Sequence, residues 1–346
     1  MNWQDKTVLV TGGGGFLGTH ILKALLKRNC SSVKIIGRSP RPEISTMGVE
    51  VIRGNIADED STMQACSGCD IVFHTAAKAG VWGALREFRR SNVIGTANII
   101  RACRRQSVPC LVNTSSPSVV CTDHDLENAD EALPYPASYP AYYPATKAEA
   151  EQMVSAAADN ELRTVSLRPH LIWGKGDPHI LPRLCAAAKN RKLMIVGDGN
   201  NRVDMTHVEN AAYAHIIAAE ALMDNSEISG KKYFISDDAP VCLWEWINNF
   251  LKDSGFPPVT KKISYRKAYT AGFLLEQIYK FFPLKGEPPM TRFVAAQFAH
   301  SHYFNISAAK KDFAYTPAVD SDAAYRETVE WIRELHKTSS QSPKED

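Results

Sequence analysis

The stretch Lys6-Thr7-Val8-Leu9-Val10-Thr11-Gly12-Gly13-Gly14-Gly15-Phe16-Leu17-Gly18 constrains the fold more than any other. An apolar, β-branched run leads into clustered glycines. Apolar positions then recur at Ile21, Leu22, Leu25 and Leu26, so the segment reads strand, tight turn, helix. In such a turn the first glycine allows the sharp bend and the middle one lets backbone approach a pyrophosphate. The last lets the helix pack close to the sheet, with its free N–H groups aimed at the phosphates. The spacing Gly12, Gly15, Gly18 is GxxGxxG rather than the commoner GxGxxG. A purely structural turn is the alternative, but the position directly behind the first strand points to a dinucleotide site.

Strand and helix patterns alternate through the first half, as a doubly wound parallel sheet of Rossmann type requires. The strands are expected at Val33–Ile36, Val49–Ile52, Ile71–His74, Cys110–Thr114 and Thr164–Leu167, with helices over about 92–105 and 145–159. Small residues Ala76 and Ala77 follow the fourth strand, where a cofactor could lie against the chain. From about Leu171 the regularity loosens. A strand near Tyr233–Ile235 and helices near 243–251 and 265–282 do not continue the alternation. The expected division is a dinucleotide-binding core over residues 1–170 and a smaller substrate lobe over 171–337, some of whose elements return to the core. A polar, disordered tail is expected over 338–346.

Composition narrows the function classes. A net charge of +2 over 346 residues gives no reason to invoke nucleic acid. No run of about eighteen apolar residues is present, so no bilayer span is expected. The polar start Met1–Asp5 reads as no signal peptide, and the chain is expected to be cytoplasmic. Eight scattered cysteines suit reduced thiols better than a disulfide framework. Cys66 and Cys69 form one CxxC without a second Cys/His pair at zinc spacing, so no metal is expected; the plain reading is a helix end and a loop.

Two further motifs carry chemistry. An NAD site usually has an acid after the second strand to accept from the ribose hydroxyls. Here that strand ends Gly37-Arg38-Ser39, with Arg41 beyond it. A guanidinium binds a 2′-phosphate that a carboxylate would repel, so the expectation is NADP(H), the alternative being a solvated loop arginine. Further on, Tyr143-Pro144-Ala145-Thr146-Lys147 puts Tyr143 and Lys147 one helical turn apart on one face. A free phenol has a pKa near 10, and a neighbouring ammonium brings it toward the working range, where it can protonate a carbonyl as hydride arrives.

With these residues in place, the chain resembles the extended short-chain dehydrogenase/reductases. The strings are Thr11–Gly18, Asn92-Val93-Ile94-Gly95-Thr96, Thr114-Ser115-Ser116 and Tyr143–Lys147. Val119 and the closing Asp312-Phe313-Ala314-Tyr315-Thr316-Pro317 are similar to the 3β-hydroxysteroid dehydrogenase branch. The strings at 76–83, 167–174, 176–183 and 286–293 resemble the NADP-dependent 2-alkyl-3-oxoalkanoate reductases of bacterial olefin biosynthesis. The resemblance implies Tyr143 as general acid, Lys147 as holder of the nicotinamide ribose, and Ser116 as the serine on the substrate oxygen, with Ser115 the other claimant. It implies cofactor contacts from Gly12, Gly15, Phe16, Leu17, Gly18, Arg38, Asn55, Ile56, Ala76, Ala77, Lys147 and Pro169. Asn92 falls on the motif asparagine near the ribose, a kink in its helix being the alternative. Asn55-Ile56 stands where the family usually has Asp-Leu, and Ala314 where it usually has glycine. A homodimer through the helices after Asn92 and Tyr143 is likewise implied.

The reaction so implied is reduction of the 3-keto group of a long-chain 2-alkyl-3-oxo acid. The alternative is 3β-hydroxysteroid or 4-carboxysterol dehydrogenation, with a non-catalytic NADP-sensing scaffold as a third class. For a substrate carboxylate the candidates are Lys78 and Arg183, each otherwise a surface cation. Trp82 and Trp173 are expected to line or cover the pocket, or else to pack in a core; His170 is expected to be a packing residue. Residues 271–282 form an amphipathic segment flanked by Arg266, Lys267, Lys280 and Lys285. It could rest on a bilayer surface as a peripheral contact, or turn its apolar face onto the lobe or an acyl tunnel.

Overall fold

The computed structural model describes residues 1–282, 284 and 286–341. Seven parallel strands make the central sheet: β1 (Thr7–Thr11), β2 (Ser32–Gly37), β3 (Glu50–Arg53), β4 (Ile71–His74), β5 (Cys110–Thr114), β6 (Arg163–Pro169) and β7 (Lys232–Ile235). Their order is β7-β6-β5-β4-β1-β2-β3. The order reverses between β1 and β4, so the carboxyl ends of those two strands open the crevice in which doubly wound sheets bind ligands.

Helices cover both faces because successive strand residues point to opposite sides. The helices of eight residues or more among the described residues are α1 (Phe16–Lys27), α2 (Glu59–Cys66), α3 (Gly95–Arg105), α4 (Tyr142–Ala156), α5 (Ile180–Lys189), α6 (Val208–Asp224), α7 (Leu243–Asp253), α8 (Tyr265–Phe281), α9 (Arg292–Ala299) and α10 (Ser321–Gln341). Val8 and Val10 share a core with Ile21, Leu22 and Leu25 of α1 and with the alanine-rich face of α6. Leu9 packs oppositely, with Ala65 of α2, Ile99 and Cys103 of α3, and Val154 of α4. A third core holds the lobe together around Trp173, Leu181, Trp244 and Phe250.

The strand expected near Tyr233 is β7, which pairs with β6 and completes the main sheet. The lobe also borrows from the core: Leu126–Ala129 pairs with His302–Phe304 in a small four-stranded sheet. Part of the tail expected from Thr338 falls among the described residues. Helix α10 runs to Gln341, with the Thr338 hydroxyl donating to the Glu334 carbonyl at 3.0 Å. Residues 342–346 of that tail, and Lys285 of the amphipathic segment, lie outside the described residues. Cys66 ends α2 and Cys69 lies in the loop before β4, both buried; burial pushes the Cys69 thiol up to about 12.

Candidate active site

The glycine loop has the shape the sequence requires. Gly12 sits at φ +70°, where a Cβ would also meet Thr75 and Ala76 at 2.8–2.9 Å. A Cβ on Gly18 would come within 2.2 Å of the Gly12 carbonyl, which fixes how closely α1 approaches β1. Gly15 differs: its Cβ would meet only that carbonyl, at 3.1 Å, and no other atom within 4 Å. It is also the N-cap of α1 and offers no side-chain acceptor. The N–H groups of Phe16, Leu17 and Gly18 therefore begin the helix without intrahelical partners, beside an open side of the chain. A pyrophosphate fits that cradle. At its rim the Arg41 guanidinium lies where a Cβ on Gly14 would come within 2.9 Å of Nε. Arg38 is exposed after β2. Asn55 uses its side-chain oxygen to accept from the Ala57 N–H at 3.0 Å, turning the chain after β3, and Ile56 is buried. Ala76 is half-buried and Ala77 exposed beyond β4, while Pro169 ends β6 opposite Ile235 of β7.

The end of β4 is tied down by polar contacts whose directions can be assigned. Thr96 donates to the Asn92 carbonyl at 2.6 Å, so its oxygen accepts from Nε2 of His74 at 2.9 Å. Nδ1 of His74 then accepts from the Thr11 hydroxyl at 2.8 Å. Burial holds this imidazole neutral, its pKa lowered to about 3 with Lys147 as a lesser cause. His215 repeats the arrangement behind β5: Nδ1 donates to the Ala211 carbonyl at 2.7 Å and Nε2 accepts from Thr114 at 2.8 Å.

Asn92 lies on a wide π-type turn, Arg89–Ile94, just before α3. Its side chain accepts from the Lys78 N–H at 2.7 Å and donates to the Lys78 carbonyl at 3.1 Å and the Thr146 hydroxyl at 3.0 Å. One buried amide thus clips the loop after β4 to the helix that carries Tyr143 and Lys147. Of the two readings for Asn92, the structure supports the architectural one.

At the centre, the Ser116 hydroxyl stands beside the Tyr143 phenol; burial raises the Tyr143 pKa and the neighbouring hydroxyl opposes the rise. Ser116 also accepts from the Ser118 N–H at 3.2 Å and hydroxyl at 3.0 Å, which orients its oxygen. Ser115 points elsewhere: it is buried, with its hydroxyl beside Glu151. The two adjacent serines are separated by function of direction, and Ser116 alone faces the phenol. Lys147, one turn below Tyr143, is buried and donates to the Thr114 carbonyl at 2.5 Å. Burial lowers its pKa to about 8, with Glu151 pulling the other way.

Glu151 was not among the expected site residues. It stands four residues beyond Lys147 with no exposed surface, and Arg168 of β6 grips it through Nε at 2.8 Å and a terminal nitrogen at 2.6 Å. The Tyr135 hydroxyl donates to the same carboxylate at 2.6 Å. Burial alone would raise the Glu151 pKa, but the guanidinium holds it low. The spacing from Lys147 was the available signal; its ion-pair partner was not visible locally.

The expected substrate residues fare differently. Lys78 is already paired with Glu87 at 2.9 Å, its ammonium also 5.3 Å from the Phe88 ring centroid. Arg183 is paired with Glu287 at 3.0 Å. Trp82 is half-buried and meets Tyr279 edge-on at 6.2 Å, so it belongs to the junction between the loop after β4 and α8. Of the two readings given for Trp173, it sits in the core packing: it is 4% exposed, bonded to Asp237 at 3.3 Å and packed against His207 and Trp246. His170 is buried against His302 and Phe304, as a packing residue.

Comparison with known proteins agrees with this geometry. The model of the 3-beta hydroxysteroid dehydrogenase/isomerase family matches residues 9–264. A 2-alkyl-3-oxoalkanoate reductase of Stenotrophomonas maltophilia (strain K279a) is 45% identical over 322 residues, covering 92% of this chain and 97% of the relative. A decarboxylating sterol-4-alpha-carboxylate 3-dehydrogenase of Candida albicans is 35% identical, covering 96% and 99%. Among solved structures, MoeE5 in complex with UDP-glucose and NAD superposes with a TM-score of 0.71 at 24% identity, covering 95% of this chain and 99% of that one, which speaks for the fold. Sheet, cradle and family match converge: the chain belongs to the 3-beta hydroxysteroid dehydrogenase/isomerase family, a family of nicotinamide-dependent oxidoreductases.

Proposed function

We propose that the chain reduces the 3-keto group of a 2-alkyl-3-oxo acid to the 3-hydroxy acid, with NADPH as the reductant. The observation that carries the reading is the Ser116–Tyr143 pair standing one turn from Lys147, beside the glycine cradle. The name of the 45%-identical relative supplies the substrate class. The first turn of α1 would hold the pyrophosphate, and Arg38, with Arg41 at the cradle rim, would take the 2′-phosphate. Asn55, Ile56, Ala76, Ala77 and Pro169 would border the nucleotide.

When bound, the reduced nicotinamide supplies a hydride to the carbonyl carbon. Ser116 and Tyr143 hold the carbonyl oxygen between two hydroxyl donors. As negative charge grows on that oxygen, Tyr143 passes its phenolic proton to it, leaving a secondary alcohol and a phenolate. The Lys147 ammonium, one helical turn away on the same face, would stabilise the phenolate until solvent returns the proton. Because burial raises the Tyr143 pKa, the phenol stays protonated across the neutral range, as an acid catalyst requires.

A homodimer through α3 and α4 and a peripheral contact with a membrane complete the reading; a long alkyl substrate partitions into lipid. The test is NADPH and NADH oxidation against a panel of 3-oxo acids and 3-ketosteroids. Turnover of 2-alkyl-3-oxo acids with NADPH supports the proposal. Activity confined to a 3β-hydroxysteroid or 4-carboxysterol with NAD would replace it with the second reading, which the 35%-identical relative favours.

A further inference from the structure

Helix α8 has two faces, one held against the lobe and one left bare. Its inner face is anchored. Ala268, Gly272 and Glu276 are buried, and a Cβ on Gly272 would come within 2.7 Å of the Thr291 backbone. Glu276 accepts from the Arg292 N–H at 2.8 Å and from its Nε at 2.9 Å. Tyr279, on the same inner side, meets Trp82. The opposite face therefore cannot roll inward to hide itself. Yet it carries Phe273, Leu274, Ile278 and Phe281, and the chain continues with Phe282 and Leu284. These are six of the twelve large apolar side chains left exposed among the described residues, and Phe281 is 80% exposed. A soluble surface rarely concentrates such side chains in one place without a partner.

The charges around this face decide between partners. Arg266, Lys267 and Lys280 are exposed on α8, and Lys261 and Lys262 are exposed just before it. The single carboxylate on the helix, Glu276, is buried and already paired with Arg292. An apolar strip ringed by cations, with no exposed acid on its own helix, complements an anionic bilayer. Two copies of the same face would instead bring like charges together. At 17 residues with charged ends the helix is too short to span, and no described helix is long and apolar enough to cross a membrane. Such a helix lies in the plane of the headgroups with its apolar face sunk among them.

The geometry points to the bare face of α8, with Phe282 and Leu284, as the surface by which this protein docks on an anionic lipid bilayer. Because Tyr279 touches Trp82, the docked face borders the loop after β4, which Asn92 clips to the catalytic helix. A lipid-like substrate could then pass from bilayer to site without crossing water. This inference builds on the peripheral contact and alkyl substrate proposed above.

The test is flotation of the full chain with phosphatidylcholine vesicles, with and without about 30% phosphatidylglycerol. Each cation near an anionic surface is worth about a factor of five in affinity, so three predict a preference of roughly a hundredfold for the anionic vesicles, lost at high salt. Leu274→Asp with Phe281→Asp should cut binding at least ~10-fold. Its melting temperature and its rate on a water-soluble short-chain 3-oxo acid should stay unchanged. Wild type that stays at the bottom with anionic vesicles, or a double variant that floats as well as wild type, overturns the inference. So does a double variant that changes only the sedimenting mass, which would assign the face to a second copy. Flotation without reductase activity in either protein would uphold the docking surface and overturn the substrate reading.

Discussion

Replacing Glu151 by glutamine separates two consequences of one buried carboxylate. The first is structural. Arg168 is 1% exposed and both of its contacts to Glu151 are short, so Glu151→Gln leaves a guanidinium facing a neutral amide in the core. Breaking a buried pair in this way costs about 3–5 kcal/mol. For a chain of this size the unfolding entropy is roughly 0.7 kcal/mol per degree, so the melting temperature should fall by about 4–7 °C. The second consequence is chemical. Burial lowers the Lys147 pKa to about 8, and Glu151 is the charge that opposes the fall. An opposite charge this close is worth about 1–3 pK units, and the unpaired Arg168 cation left behind pushes the same way. Without the carboxylate the ammonium is lost at lower pH. The alkaline limb of kcat/KM for reduction, near pH 8 in the wild type, should therefore move down by about one pH unit. The assay is NADPH oxidation from pH 6 to 10, with calorimetry on the same protein. A variant that melts lower but keeps the wild-type pH profile would refute the coupling of Glu151 to Lys147, and unchanged melting would refute the account of the pair.

Tyr143→Phe keeps the ring and removes the proton, so kcat should fall about 10²- to 10⁴-fold with melting preserved, read by NADPH oxidation under saturating substrate. Arg38→Ala should raise the KM for NADPH about 10- to 100-fold while leaving that for NADH within a factor of two, because only the phosphorylated ribose needs the guanidinium. Asn92→Ala strands the Lys78 backbone and the Thr146 hydroxyl, which are bonded at 2.7–3.1 Å. It should cost about 2–4 kcal/mol by denaturant unfolding and lower kcat as the loop after β4 comes loose.

What the sequence discloses here is whatever one short segment decides by itself. The β1–α1 turn is readable because Gly12 and Gly18 are demanded by local geometry, a left-handed φ and a 2.2 Å approach. Tyr143 and Lys147 are readable because a helical turn has a fixed length. Contacts across long loops are another matter. Trp173 looks the same in a string of letters whether it lines a pocket or packs on His207 and Trp246, and those partners arrive from 34 and 73 residues downstream. Arg183 finds Glu287 across 104 residues. Glu151 and Arg168 are 17 apart, yet only the approach of α4 to β6 makes them a pair.

The wide turn at Arg89–Ile94 makes chain length itself a functional variable. Deleting a single residue there would let the helix relax into ordinary winding at no loss of hydrogen bonding. Side chains on either side of the cut would keep their phase, because the wide turn spends one residue more than ordinary winding to sweep the same angle. Such a change alters no charge and buries no less carbon. What it would remove is the slack around Asn92, so the amide that grips the Lys78 backbone would lose its seat while the helix itself stayed whole.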